Sequence, residues 1–298
     1  MTKRHTSCEV KVSADYSFWD IASLHLWQRP VSFFLKSSRH SRNPYRSALA
    51  LASSSYLGVV DGTLRLLPDR EPVPDRAQVV HEQLRAMLGD SRYPCAGARA
   101  ALNTDYYRFG LYRGIGGPAA SAGIAHDLWE FVAERPRMKT DFATFVAIFD
   151  EADAKSEKLF ETKFWNQLQA LHDLDNEPYD PAVSVDPASP KFGFSFAGHA
   201  FFVIGMHPGS SRLARRSPWP AMVFNTHAQF DALKQKNLYD RFVAVVRRRD
   251  EALQGSMNPN LAGAGIRSEA RQYAGRAVEE RWKCPFHPRR GNRKTSRM

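Results

Sequence analysis

Hydrophobic positions keep regular periods along most of the chain between residues 79 and 253. Val80, Leu84, Met87 and Leu88 recur at helical spacing and predict a helix over 79–88. Tyr106 to Tyr112 reads as a strand running into the glycine turn Gly114-Ile115-Gly116-Gly117-Pro118. A helix should follow, with Ile124, Leu128 and Phe131 on one face and a stop near Pro136. Thr140 is a good N-cap residue, and Phe142, Phe145, Val146 and Phe149 follow at i, i+3, i+4 and i+7, so another helix is expected there. Phe160, Phe164, Leu168 and Leu171 mark one more, ended by Asn176-Glu177-Pro178.

The period then switches from helical to alternating. Phe192, Phe194 and Phe196 alternate, Gly198-His199 makes a bend, and the apolar run Ala200 to Met206 ends at His207-Pro208. The pair predicts an antiparallel hairpin. Ala221-Met222-Val223-Phe224 reads as a third strand, and 228–253 is helical again. The expected fold class is α+β: a small, mostly antiparallel sheet surrounded by helices in a single main domain.

Residues 1–78 show little of this regularity. Lys36 to Pro44 is polar and aperiodic, and Pro68 to Asp75 is dominated by proline and charge. A short amphipathic helix is possible near 18–27, where Phe18, Ile21 and Leu24 share a face. The expected organisation is a poorly structured or accessory extension over 1–78, a main domain over 79–286 and a basic tail over 287–298.

Composition narrows the class. Of 298 residues, 43% are hydrophobic and 12% aromatic, enough for a sizeable core. No apolar run reaches the roughly 18–20 residues of a membrane span, and the N-terminus lacks a signal-peptide core, so a cytoplasmic location without membrane attachment is expected. Three scattered cysteines, Cys8, Cys95 and Cys284, argue against a disulfide framework.

The net charge of +11 lies mainly at the ends. Residues 1–78 hold 11 Lys/Arg against 7 Asp/Glu, and residues 285–298 hold 5 Lys/Arg and no acid. Tail charge attracts polyanions weakly but makes no reading surface, so no specific nucleic-acid partner is expected.

Several motifs carry candidate chemistry. Gly114-x-Gly116-x-x-Ala119 mimics a dinucleotide fingerprint, but Pro118 within it and the position of Glu134 favour a plain strand-to-helix turn. Cys284-Pro285-Phe286-His287 lacks the second ligand pair of a structural zinc site. A lone Cys-Pro thiolate can still ligate haem iron, while the plain alternative is a reduced cysteine near a chain end. His207 closes an apolar strand beside Ser210, Ser211, Arg212, Arg215 and Arg216. An imidazole there could meet a buried metal, with arginines for propionates or a carboxylate; equally, His207-Pro208-Gly209 could be a turn with solvated arginines. His227 sits where a strand gives way to a helix, and His199 at a hairpin bend reads as structural. Cys95, in Tyr93-Pro94-Cys95-Ala96-Gly97-Ala98-Arg99, has no triad partners and reads as a buried thiol.

Taken together, several segments resemble the YqcI/YcgG family. They are Tyr93 to Arg99, Gly198 to Arg212 (Gly-His-Ala-Phe-Phe-Val-Ile-Gly-Met-His-Pro-Gly-Ser-Ser-Arg), Phe224 to Phe230, Arg249 to Pro259, Ser268 to Arg276 and Trp282 to Phe286. The resemblance spans about 79–286; residues 1–78 and the tail lie outside it, and Ala274 stands where a serine is common. Members with an assigned activity are haem proteins that hydroxylate a guanidino nitrogen, in D-cycloserine and guanitoxin biosynthesis. The resemblance therefore implies heme b, dioxygen or peroxide, an external electron donor, and a guanidino substrate such as L-arginine, converted to N-omega-hydroxy-L-arginine. The alternative is a haem-binding sensor or carrier without turnover. On this reading Glu269 and Asp250 are the candidates to hold the guanidinium, and Arg212 or Arg271 to hold a carboxylate. His207 is the first choice for the iron, followed by Cys284, His227 and Cys95.

Overall fold

The computed structural model describes residues 43–150, 156–260 and 266–289. All of them belong to one compact unit beginning at Arg42. The elements run α1 (Ala48–Ser53), β1 (Leu57–Val60), β2 (Thr63–Leu66), α2 (Asp75–Gly89), α3 (Ala96–Thr104), β3 (Tyr107–Tyr112), α4 (Pro118–Glu134) and β4 (Thr144–Phe149). They continue with α5 (Glu157–Leu174), β5 (Phe194–Phe196), β6 (His199–Met206), β7 (Ala221–Thr226), α6 (His227–Gln235), α7 (Tyr239–Gln254) and α8 (Ala270–Tyr273).

The seven strands form one open sheet in the order β2-β1-β3-β4-β7-β6-β5. Every neighbouring pair is antiparallel except β3 and β4, which run parallel. The fold is α+β, as the patterning predicts. The hairpin β5–β6 forms with Phe194 opposite Phe201 and Phe196 opposite His199. The glycine turn after β3 is a plain strand-to-helix connection: Gly114 and Gly116 take φ of 73° and 82°, and Pro118 opens α4 at its first turn.

One element is of the other type. Residues 144–149, expected to be helical, form β4 at the centre of the sheet. Phe145, Ala147 and Phe149 pack on one face, while Val146 and Ile148 pack on the other. A strand buried on both faces is apolar throughout, so it contains the helical spacing by accident. The Thr140 hydroxyl accepts from the Phe142 amide at 3.1 Å, closing a local turn instead of capping a helix. The expected helix over 228–253 is two helices, interrupted near Asn237, which takes φ of 55°.

Residues 43–78 also differ from expectation. They supply α1, β1 and β2, and β1 pairs with β3 through Leu57–Phe109 and Gly58–Arg108. Asp127, fully buried on α4, accepts from Ser54 Oγ at 2.5 Å, Ser55 N at 2.7 Å and Tyr112 Oη at 2.7 Å. Such a satisfied carboxylate ties the N-terminal segment to the core. The folded unit thus begins well upstream of Val79, whose position falls inside α2. The helix considered near 18–27 lies outside the described residues. Of the basic tail, His287 N donates to Gln169 Oε1 at 2.9 Å, and Arg289 N to His172 Nε2 at 3.0 Å.

The sheet has two unlike faces. On one, α1, α4, α5 and α8 cover a core of rings that includes Phe145, Phe160, Phe164, Phe201, Phe224 and Tyr273, all essentially without solvent contact. On the other, α2 and α3 pack on Phe109, Val146 and Ile148.

Candidate functional site

The second face is hollow. A cavity of about 240 Å³ lies between the sheet and helices α2, α3, α6 and α7. Val146, Ile204 and Val223 supply its floor, and Leu84, Phe230 and Phe242 part of its walls. Its lining is overwhelmingly apolar, with a few polar groups at one end, the composition of a small-molecule site.

The Tyr93-Pro94-Cys95 segment brings the thiol into the wall. Cys95 occupies the N-cap of α3, where its sulfur accepts from the Ala98 amide at 3.4 Å. Burial raises the thiol's pKa, opposed by the helix amides of Ala98 and Gly97 and by nearby Arg215.

The polar end is built by the turn at Leu213–Arg215 and by α7. Arg212 is 6% exposed and Asp250 7%, and Arg212 Nη2 donates to Asp250 Oδ2. Arg212 Nη1 also donates to the Ser256 carbonyl at 3.1 Å. The other Asp250 oxygen, Oδ1, has no protein donor among the described residues. Arg215 donates to the carbonyls of Gly205 at 3.1 Å, Gln272 at 3.2 Å and Tyr273 at 3.4 Å. Removal from water pushes its pKa down. Asn225, Gln229, Asn258 and Gln272 add amides to the lining.

The candidates named from the sequence divide into two groups. Asp250, Arg212 and Cys95 meet in this cavity. His207, His227, Cys284, Glu269 and Arg271 are not among its lining residues. The His207 ring is 1% exposed and stacks on Phe160 with centroids 4.4 Å apart, on the packed side. Its backbone makes the turn: His207 N donates to Arg215 O at 3.0 Å and His207 O accepts from Ser210 N at 3.2 Å. His207 therefore positions the arginine-bearing segment while its imidazole goes into the aromatic core.

His227 and Glu269 face each other instead, with Nε2 and Oε2 3.3 Å apart. Neither atom makes a hydrogen bond, so the approach is close without being aligned. Cys284 packs beside the aromatic core, and burial pushes its thiol up to about 12. Arg271 donates to the Glu279 carbonyl at 2.8 Å and lies over the Trp282 ring at 5.8 Å. Among the described residues no group of three or more His, Cys, Asp and Glu side chains could hold a metal ion. No helix among them is long and apolar enough to cross a membrane.

A second, more open recess is lined in part by His81, Arg85 and Asp105. It shares a wall with the cavity, because His81 Nε2 lies 2.5 Å from the hydroxyl of Tyr107, a cavity residue. Burial first, and then Arg85, lower the His81 pKa to about 4.

Tyr93, Tyr107, Asn225, Gln229, Asn258 and Gln272 are lining residues that sequence reasoning did not single out. All of them except Tyr107 lie inside the family-like segments quoted above, so membership of such a segment was the available signal.

The fold is an open α+β sheet with a cavity on one face. The YqcI/YcgG family profile matches residues 84–287, and the chain belongs to that family. A relative from Bacillus subtilis (strain 168), named "Uncharacterized protein YcgG", is 28% identical over 232 residues, covering 73% of this chain and 90% of the relative. No solved structure matches the chain significantly.

Proposed function

We propose that the cavity binds heme b together with a guanidino amino acid, most simply L-arginine, and that the protein N-hydroxylates the guanidino group. The observation that carries this reading is the set of groups in one largely apolar cavity: a thiol, a carboxylate with one oxygen uncommitted among the described residues, and an arginine that no described carboxylate pairs with. The lining chemistry suits a porphyrin edge, since the walls are apolar and Cys95 offers a sulfur at a helix N-terminus whose amides counter the burial that raises its pKa; the cavity of about 240 Å³ must widen to admit the whole ring. On this reading Cys95, the candidate thiol that lines the cavity, is preferred to His207, Cys284 and His227 as the ligand.

Haem, when bound, supplies dioxygen or peroxide activation. With dioxygen, one atom enters a guanidino N–H bond and the other leaves as water, with two electrons from an external donor and two protons. The chain's own residues orient the substrate. Asp250 Oδ1 accepts from the cationic guanidinium, and the amides of Asn225 and Gln229 offer further acceptors. Arg212 holds the Asp250 carboxylate in place. The apolar floor excludes water, which strengthens each of these interactions. Glu269, the other carboxylate considered for this task, is not among the cavity's lining residues; its Oε2 lies 3.3 Å from His227 Nε2.

An absorption spectrum of the purified protein, ferric and reduced with carbon monoxide, tests the haem. A thiolate-type complex that disappears in Cys95→Ser is the expected result. Incubation with L-arginine and a reductase or peroxide, read by mass spectrometry, tests the turnover. A Soret band without hydroxyarginine under any electron supply would make the protein a haem-binding sensor or carrier. Absence of the band after haem supplementation would end the haem reading.

A further inference from the structure

The charged side chains lining the cavity are Arg212, Arg215 and Asp250. Arg212 and Asp250 neutralise each other. Arg215 stands apart: it lines the cavity and touches only backbone carbonyls, and no carboxylate pairs with it among the described residues. Three carbonyls take up three of the five guanidinium N–H donors, leaving Nε–H and one Nη2–H. A half-buried cation held by neutral carbonyls alone leaves a net positive charge beside an apolar space, which favours an anion joining it there. Two remaining donors are the number a carboxylate accepts when it binds an arginine bidentately.

We propose that Arg215 is the carboxylate anchor of the cavity. The carboxylate belongs either to the substrate or to a propionate of the porphyrin, a choice that depends on the haem reading above; the anchor itself does not. Asp250 and Arg215 then make the polar end bipolar, with an acceptor for a cationic group and a donor pair for an anionic one. Such an end selects a molecule bearing both charges over one bearing either alone.

The test is titration calorimetry of the full-length protein as purified, with L-arginine, with agmatine (its decarboxylated counterpart), and with hexanoate as a plain carboxylate on an apolar chain. Wild type, Arg215→Gln and Arg215→Lys are compared, with circular dichroism and the Soret-to-protein absorbance ratio for each. Wild type should bind arginine at least roughly tenfold more tightly than agmatine, as expected for a charge-assisted pair. If the carboxylate is the substrate's, Arg215→Gln keeps its haem and loses that preference, while Arg215→Lys keeps part of it. If it is a propionate, Arg215→Gln lowers the Soret ratio and leaves the preference as it was.

Hexanoate separates this proposal from the guanidino one. Binding of hexanoate to wild type and not to Arg215→Gln supports the anchor even where arginine does not bind and no Soret band is seen. Arg215→Lys, which keeps the charge, guards against a fold lost with the three carbonyl contacts. A folded Arg215→Gln that matches wild type in arginine preference, hexanoate binding and haem content overturns the anchor. So does a wild-type protein that binds neither arginine nor hexanoate and keeps its haem in every variant.

Discussion

The two faces of the sheet are made from the same strands and are built for opposite ends. On one, Phe145 and Phe224 lie in ring contact with each other and with Phe131, Phe194 and Phe201. On the other, the alternate residues of the same strands, Val146, Val223 and Ile204, look into open space. Alternation along β4, β6 and β7 thus decides which residues carry stability and which shape a binding site. A packed face is intolerant because each missing atom leaves a void, whereas a hollow face already contains one.

Deletion at the packed face is the most severe way to probe this contrast. Phe164→Ala should cost roughly 3–5 kcal/mol, because a fully buried ring on α5 would leave a cavity. Chemical denaturation measures it, and a loss below about 1 kcal/mol would mean that this face is not close-packed.

Acidification probes the hollow side through His81. Its folded pKa, about 4, is below the ordinary value of 6.5, so the unfolded chain takes up the proton first. The stability tied to neutral His81 is full above pH 6.5 and is lost as pH falls toward 4, up to about 3 kcal/mol. Denaturation curves at pH 7 and pH 4.5 should separate for wild type and draw together in His81→Gln.

A smaller effect is expected at the cavity floor. Val223→Ala should cost about 1–1.5 kcal/mol, the transfer contribution of the lost methyl groups without a new void. A value matching that of Phe164→Ala would erase the distinction between the faces.

Filling the space should have the least effect on stability and the most on binding. Ala98→Leu on α3 places three more carbons toward the cavity and should move stability by less than about 1 kcal/mol. Arginine binding should fall by more than tenfold in the same variant, as read by calorimetry.

The packed face was the more legible of the two. Phe160, Phe164, Leu168 and Leu171 repeat at helical spacing, and Phe194 and Phe196 alternate, so period alone identifies α5 and β5. The hollow face draws its lining from α2, α3, α6, α7, α8, four strands and several loops, and no local period links Cys95 to Arg215 or Asp250. β4 was hidden because burial on both faces removes alternation. β1 and β2 are four residues each, too short for a period, yet their turn was readable. Asp61-Gly62 takes positive φ at both positions, and an Asp-Gly pair between apolar runs is a strong hairpin signal. In sequence, a histidine closing an apolar strand looks the same whether its ring meets a metal or, as at His207, stacks on a phenylalanine.

The placement of β4 has a consequence for synthesis of the chain. It pairs with β3 in the register Tyr107 to Thr144, but its other edge waits for β7, with Thr144 opposite Asn225. At roughly 5–20 residues per second, translation leaves that edge open for several seconds while the intervening chain is made. During that interval the nascent protein presents Thr-Phe-Val-Ala-Ile-Phe, a short uncharged β-forming segment, with one row of backbone groups unpaired. The α4 crossover can cover one face of it, but only β7 can close its edge, so chaperone demand should peak before Ala221 leaves the ribosome and fall once it has.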